Sequence, residues 1–348
     1  MKLKKNRLLT LDKFIDEALY DKKFGYYMKK NPFGPKGDFI TAPNISILYS
    51  EMIAIWIIAF WENLKSPKKF NLVELGSGNG EMMKILISTF NRFPKFKSAC
   101  KINILEKSCI LKKKQKKEIN NKNVKWLSSL DQLNKLPVIF ISNEFFDALP
   151  IKQFIKKEGN WYERSVYTSD INNLKFKDIL FKMKKFEKKI KLNISNNQTF
   201  LEYSPLMVKY LKIILKKIKS NNGGILIVDY GYLEKKGKNT LKAISKHKFT
   251  NILKNVGEAD ITFDLSFYFL KKMVKRFGLF NISITNQRNF LINMGILKRG
   301  ELLAKKLPFS KKADIFYRIK KLIDKKEMGE IFKVMLITSK KNKFKLGF

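Results

Sequence analysis

Apolar residues recur at helical spacing near the start of the chain, at Leu11, Phe14, Ile15, Ala18 and Leu19, and the run ends in the aromatic turn Phe24-Gly25-Tyr26-Tyr27. Residues 31–43 concentrate Gly and Pro and predict a long loop, and residues 45–61 are apolar nearly throughout and predict a buried helix. Beyond them, short apolar runs alternate with helical patterns. Strands are predicted at 70–75, 101–105, 124–127, 137–142 and 224–228, with a helix opening at Met82 and a Lys-rich one over 108–119. Strand-helix alternation of this kind builds a parallel, doubly wound sheet. The alternating runs 281–285 and 332–338, separated by helices, suit an antiparallel edge, so the fold class is α/β with a Rossmann-like mixed sheet.

About 75 residues separate the fourth and fifth strands, far more than a crossover needs. A hairpin over 151–167, turning at Glu158-Gly159-Asn160, and further short strands and charged loops over 174–203 fill that interval. The expected organisation is an N-terminal part over 1–66 with helices and a lid loop, a sheet domain over 67–150 and 204–348, and an inserted substrate-side subdomain over 151–203. A second insertion is expected at about 240–270.

The 348 residues carry 72 Lys and Arg against 30 Asp and Glu, a formal charge of +42. The lysines spread from Lys2 to Lys345 and lack the interleaved aromatics of a base-stacking platform, so they read as a diffuse solvated surface, with nucleic acid an unlikely partner. With 2 Cys and 1 His, a disulfide scaffold and a His-rich metal site are excluded, and no metal is expected. Asp12, Asp16 and Glu17 interrupt any apolar stretch after Lys2, Lys4 and Lys5, so no secretory signal is read. Glu51 interrupts the most apolar run, which is too short to span a bilayer. The expected location is the cytoplasm.

Chemistry concentrates at Val73-Glu74-Leu75-Gly76-Ser77-Gly78-Asn79-Gly80. Alternating glycines at a strand-to-helix turn let backbone approach a nucleotide-type ligand. A dinucleotide fingerprint wants a small residue three places after Gly78, where this chain has Glu81. A carboxylate at a helix N-terminus competes with pyrophosphate but tolerates a cationic ligand such as S-adenosylmethionine. Glu74 can help hold the ammonium, and Glu106, at the end of the second strand, can accept both ribose hydroxyls. A structural glycine turn and an ordinary strand-end carboxylate are the competing readings. After the fourth strand come Asn143, Glu144 and Asp147, without the diproline of enzymes that methylate a nucleobase amine. Two acids three apart share one side of a helical turn, where they would clamp a guanidinium or, alternatively, cap a helix.

Several motifs run through the chain in order: Phe24-Gly25-Tyr26-Tyr27, Gly37-Asp38-Phe39-Ile40-Thr41-Ala42-Pro43, Glu74-Leu75-Gly76, Asn143-Glu144-Phe145-Phe146-Asp147-Ala148-Leu149-Pro150, Asp229-Tyr230-Gly231, Gly257-Glu258-Ala259-Asp260-Ile261-Thr262 and Met328-Gly329-Glu330-Ile331-Phe332-Lys333. Together they resemble the MidA-type methyltransferases, the family containing the mitochondrial complex I assembly-factor arginine methyltransferase. The resemblance implies a class I S-adenosyl-L-methionine methyltransferase fold and methylation of arginine in a protein substrate, a respiratory complex I subunit being one such substrate. It implies Asp38, Thr41, Gly76, Gly78 and Glu106 on the cofactor side, to which the glycine turn adds Gly80, and Asn143, Glu144 and Asp147 on the acceptor side, and a homodimer is compatible with it. Three departures stand out. Asn44 replaces the family's usual Glu, Ser77 and Asn79 replace Pro and Arg of its glycine turn, and the segment around Asp264 lacks the usual His-Val-Asp-Phe. His247 has a counterpart in a similar family segment. A non-catalytic assembly factor that keeps the cofactor fold, and an RNA methyltransferase, are the alternative functions.

Overall fold

The computed structural model describes residues 6–29, 32, 41–170, 173–245 and 248–348, so Asp38, most of the 31–43 loop and His247 lie outside the described residues. The chain divides into two compact units.

The larger unit comprises residues 32–145, 213–231 and 279–348. Its sheet is built from β1 (Phe70–Leu75), β2 (Cys100–Leu105), β3 (Lys125–Leu127), β4 (Val138–Asn143), β5 (Gly223–Tyr232), β6 (Phe280–Asn286) and β7 (Phe332–Ser339). The strand order is β6-β7-β5-β4-β1-β2-β3. β1 to β5 are parallel to one another, and β7 runs antiparallel to both β5 and β6, so the sheet is mixed as the two late alternating runs imply. Every residue of β1 is buried, which is why it reads as a continuous apolar run and not as an alternation.

Three helices of this unit matter for the site: α1 (Ile47–Asn63), α2 (Glu81–Phe90) and α3 (Cys109–Ile119). α1 is apolar nearly all round because it is covered on most sides; Trp56 stacks on Phe60 with ring centroids 5.1 Å apart. Ser46 caps it by accepting from the Leu48 N–H, and Glu51, one of its two acids, pairs with Arg299 at 2.7 Å. Among the described residues no helix is long and apolar enough to cross a membrane.

The smaller unit comprises residues 1–31, 146–212 and 232–278. Its antiparallel sheet runs Arg7–Thr10, Asn160–Asp170, Lys152–Lys157, Phe200–Tyr203, with Asn173–Leu180 on the free side of Asn160–Asp170. The hairpin turns through Glu158 and Gly159, both with positive φ (47° and 81°), the geometry a two-residue hairpin turn requires. The helix Leu11–Tyr20 stops at Asp21, whose carboxylate accepts from the Lys23 and Phe24 N–H groups, and these bonds hold that carboxyl below its ordinary range. Several elements escape the sequence reading, among them the 17-residue helix Pro205–Asn221 and the helix Met183–Ile190, whose Phe186 packs with Phe154 and Phe181 in a small aromatic core.

Candidate functional site

In a doubly wound sheet the ligand crevice opens where the strand order reverses, at the carboxyl ends of the strands. Here that point lies between β1 and β4. β1 delivers Gly76, Gly78 and Gly80, all with positive φ (65°, 51° and 90°). A Cβ on Gly76 would stand 2.7 Å from the Phe145 ring, so both the backbone conformation and the free space require glycine there. Gly80 caps α2, and its N–H donates to the Ser77 carbonyl at 2.8 Å, which tightens the turn.

Two of the family departures meet at one carboxylate. Glu81 opens α2 and accepts hydrogen bonds from the side-chain amides of Asn44 and Asn79. A Glu at 44 would set a second carboxylate against Glu81. Amides at both positions give this acid hydrogen-bond donors where the family's pattern has an Arg at 79. Thr41 Oγ1 in turn donates to Asn44 Oδ1 at 3.0 Å.

Burial decides the state of the acids. Glu74 is 2% exposed, and desolvation, with a smaller contribution from the nearby Glu106, pushes its pKa from 4.5 up to about 8, although the Ser77 hydroxyl donates to it at 2.5 Å. Glu106, at the end of β2, accepts from the Ser108 N–H and from Gln115 Nε2, each at 2.9 Å, and burial raises its pKa too. Gln115 escapes the sequence reading. Fully buried on α3, it also donates to the Gly78 carbonyl at 2.9 Å and accepts from Trp126 Nε1 at 2.9 Å. One side chain therefore ties the glycine turn, the strand-end acid and Trp126 of β3 together.

The acceptor side starts at the end of β4. Tyr49 on α1 donates its hydroxyl to Asn143 Oδ1, and Asn143 Nδ2 donates to Glu144 Oε1 at 3.2 Å. Burial, then the charges of Glu144 and Asp229, hold the Tyr49 hydroxyl protonated well above its ordinary pKa. Glu144 has φ +50°, and its N–H donates to the Val228 carbonyl of β5 at 2.9 Å, so a left-handed residue fixes where the carboxylate points. The expectation of a shared helical turn for Glu144 and Asp147 is corrected here. The segment bends after β4, since positive φ at Glu144 is incompatible with a helix, and the two acids fall in different compact units. In the smaller unit Asp147 is 4% exposed, and the Tyr27 hydroxyl donates to both Asp260 oxygens at 2.9 Å. The Tyr27 pKa is pushed up by burial, then by the charges of Asp260, Tyr20 and Asp147.

Six of the residues singled out in the sequence, Thr41, Glu74, Gly76, Gly78, Asn143 and Glu144, line one cleft of the larger unit. Gly80 and Glu106 adjoin it through α2 and Gln115. In a chain of net charge +42, no Lys or Arg lines this cleft among the described residues. Its carboxylates and glycine cradle fit a ligand that is cationic and carries hydroxyl donors, and they do not fit a phosphate. The residues thus suit S-adenosyl-L-methionine. A larger cavity of about 710 Å³ lies elsewhere in the same unit, at the amino ends of β1 to β3, away from this chemistry.

Comparison with known proteins agrees with the geometry. Residues 52–284 match a family model described as "Putative S-adenosyl-L-methionine-dependent methyltransferase". The Xenopus laevis protein arginine methyltransferase NDUFAF7, mitochondrial, is 27% identical, with 95% of this chain and 81% of the relative covered. The Homo sapiens protein of the same name is 26% identical over 95% and 80% of the two chains. The fold matches a COG1565 superfamily member from Burkholderia thailandensis, crystallised with S-adenosyl-homocysteine, at a TM-score of 0.81 and 22% identity, covering 98% of this chain and 90% of that one. The relatives' names overturn the cytoplasmic expectation, since these are mitochondrial proteins.

Proposed function

We propose, from the premise that the chain belongs to the S-adenosyl-L-methionine-dependent methyltransferase family and uses that cofactor, that it methylates arginine in a protein substrate. The observation that carries this reading is the Tyr49–Asn143–Glu144 chain of hydrogen bonds, which holds a carboxylate in the cofactor cleft. The names of the relatives support it, and with them a mitochondrial setting.

When bound, the cofactor supplies a methyl group made electrophilic by a sulfonium. Glu74 would hold its ammonium and Glu106 its ribose hydroxyls, and Thr41 and the glycine backbone would complete the cradle. Arginine is cationic at any physiological pH and its nitrogen lone pairs are delocalised, so the protein must align one nitrogen and draw the positive charge away from it. Glu144 does both. It accepts charge-assisted hydrogen bonds from the guanidinium, leaves the target nitrogen facing the cleft, and holds the proton that the nitrogen loses. Asn143 fixes the Glu144 rotamer, and Tyr49 fixes Asn143. Among the described residues the cleft lining brings no Lys or Arg against a cationic acceptor, whereas RNA would bring phosphates against Glu74 and Glu144.

The test is methyl transfer from tritiated cofactor to a lysate of the source cells, with protease and nuclease arms, for the wild type and Glu144→Gln. Protease-sensitive, nuclease-resistant label is expected. Removing the charge should cost roughly 2–4 kcal/mol of transition-state stabilisation, about 30- to 1000-fold in rate, with cofactor affinity and melting temperature unchanged. Full activity of the variant, or label lost to nuclease, ends the reading.

A further inference from the structure

In the larger unit, the helix Phe309–Ile323 carries two apolar stripes, and one of them is covered. Ile315, Ile319, Leu322 and Ile323 pack into the core. The contact with the preceding helix, Ile296–Ala304, is close: a Cβ on Gly300 would stand 2.5 Å from Ile319 Cδ1. The second stripe is Phe309, Ala313, Phe316 and Tyr317, at i, i+4, i+7 and i+8, the spacing of one helix face. All four are exposed. Phe309 is 85% exposed, the most of any large apolar side chain among the described residues, and Tyr317 is 58% exposed. Leu302, 57% exposed, sits in the last turn of the preceding helix, just before the bend that leads to Phe309.

The charge around this stripe has one sign. The twelve residues between Glu301 and Asp314 hold Lys305, Lys306, Lys311 and Lys312 and no acid. The acids at either end are engaged, Glu301 with Lys298 at 3.1 Å and Asp314 with Arg318 at 2.8 Å. None of the four lysines takes part in an ion pair among the described residues. Protein interfaces are depleted in lysine, and a ring standing as far clear as Phe309 would need a recess shaped to it. A lipid headgroup layer asks for neither. It admits the Phe and Leu side chains of a helix lying in its plane, while lysines at the border meet anionic lipid. The complementarity is to a surface that is negative, deformable and apolar beneath.

We propose that the helix pair Ile296–Ala304 and Phe309–Ile323 is a docking surface for an anionic lipid bilayer. Phe309 enters the headgroup layer, and Lys305, Lys306, Lys311 and Lys312 meet the negative headgroups around it.

A net charge of +42 draws the whole chain to any negative surface, so the experiment has to separate a local site from that field. Binding of the whole chain to phosphatidylcholine vesicles, with and without about one third phosphatidylserine, is measured by co-sedimentation at about 0.15 M salt. Phe309→Ser should weaken binding to the anionic vesicles at least about tenfold, the effect of one buried ring. Leu279→Ser, at a 74% exposed position of the same unit, should change it less than about twofold. Lys305→Glu with Lys306→Glu should weaken binding at least about 30-fold. Lys340→Glu with Lys341→Glu lowers the net charge equally and should cost less than about fivefold. Affinity for S-adenosyl-homocysteine should stay the same in all four variants. The proposal is overturned if phosphatidylserine does not improve binding, or if either variant of the helix pair weakens it no more than its control. It is also overturned if an acidic amphipathic peptide of Glu and Leu binds as tightly as the vesicles with the same dependence on Phe309, which would make the partner a protein.

Discussion

Glu74 offers the sharpest test of how the cofactor is held. With a pKa of about 8, its carboxyl is about 90% protonated at pH 7. A cationic amino group placed against it favours the carboxylate, so cofactor binding should expel a proton, up to about 0.9 per chain at pH 7. If the bound carboxylate stays ionised above pH 6, affinity should rise about 25-fold from pH 6 to pH 7.5, because the ionised fraction of the free protein grows by that factor. Calorimetry at pH 7 in buffers of different ionisation enthalpy counts the proton directly. Glu74→Gln should remove both the release and the pH dependence. The same carboxyl shapes stability in the absence of cofactor. Its folded pKa lies above the unfolded value, so its contribution is complete below pH 4.5 and is lost as pH rises to 8, on the order of 5 kcal/mol over that window. Melting temperature of the wild type should therefore fall between pH 5 and 8 more than that of Glu74→Gln. Release below about 0.2 proton, or release unchanged in the variant, would refute the placement of the ammonium at Glu74.

Three further outcomes are expected. Gly78→Val puts a β-branched side chain at φ +51° in the cleft lining, which costs about 1–2 kcal/mol in backbone strain and should abolish cofactor binding in calorimetry while circular dichroism stays native. Gln115→Leu keeps the volume but strips hydrogen bonds from the Gly78 carbonyl, Glu106 and Trp126, so urea denaturation should show a loss of about 2–4 kcal/mol, with weaker cofactor binding. Tyr27→Phe removes the hydroxyl that donates to both oxygens of the buried Asp260 and should cost about 1–3 kcal/mol in the same assay, without touching the cofactor cleft of the larger unit.

The parts of this molecule that were legible in the sequence are those set by neighbours in the chain. The glycine turn announces itself because positive φ and close approach both demand glycine within five residues, and β1 and β4 read as strands because both faces are buried. Glu144 was legible as a charge but not as a direction: its left-handed backbone is imposed by β5, some 80 residues later, and nothing local predicts a bend over a helical turn. Gln115 left a faint signal. It is the uncharged polar residue in a run of lysines, and it falls four residues after Leu111 and four before Ile119, on the helix face that those two bury. The Tyr27–Asp260 pair joins residues 233 apart, beyond the reach of any periodicity.

The strand order has a consequence for how the molecule comes to exist. β7 is the last strand in the chain, yet it lies between β5 and β6. Until residues 332–339 are available, β5 presents an open hydrogen-bonding edge and β6 has no place to dock. An N-terminal fragment emerging from a ribosome or a translocation pore can assemble the parallel strands but cannot close the sheet. Such an intermediate carries an unpaired, largely apolar margin, the surface that invites pairing with another chain. Completion is therefore a late, all-at-once event, and chaperone retention should persist until the final strand has passed, which a series of C-terminally staggered nascent chains would time directly.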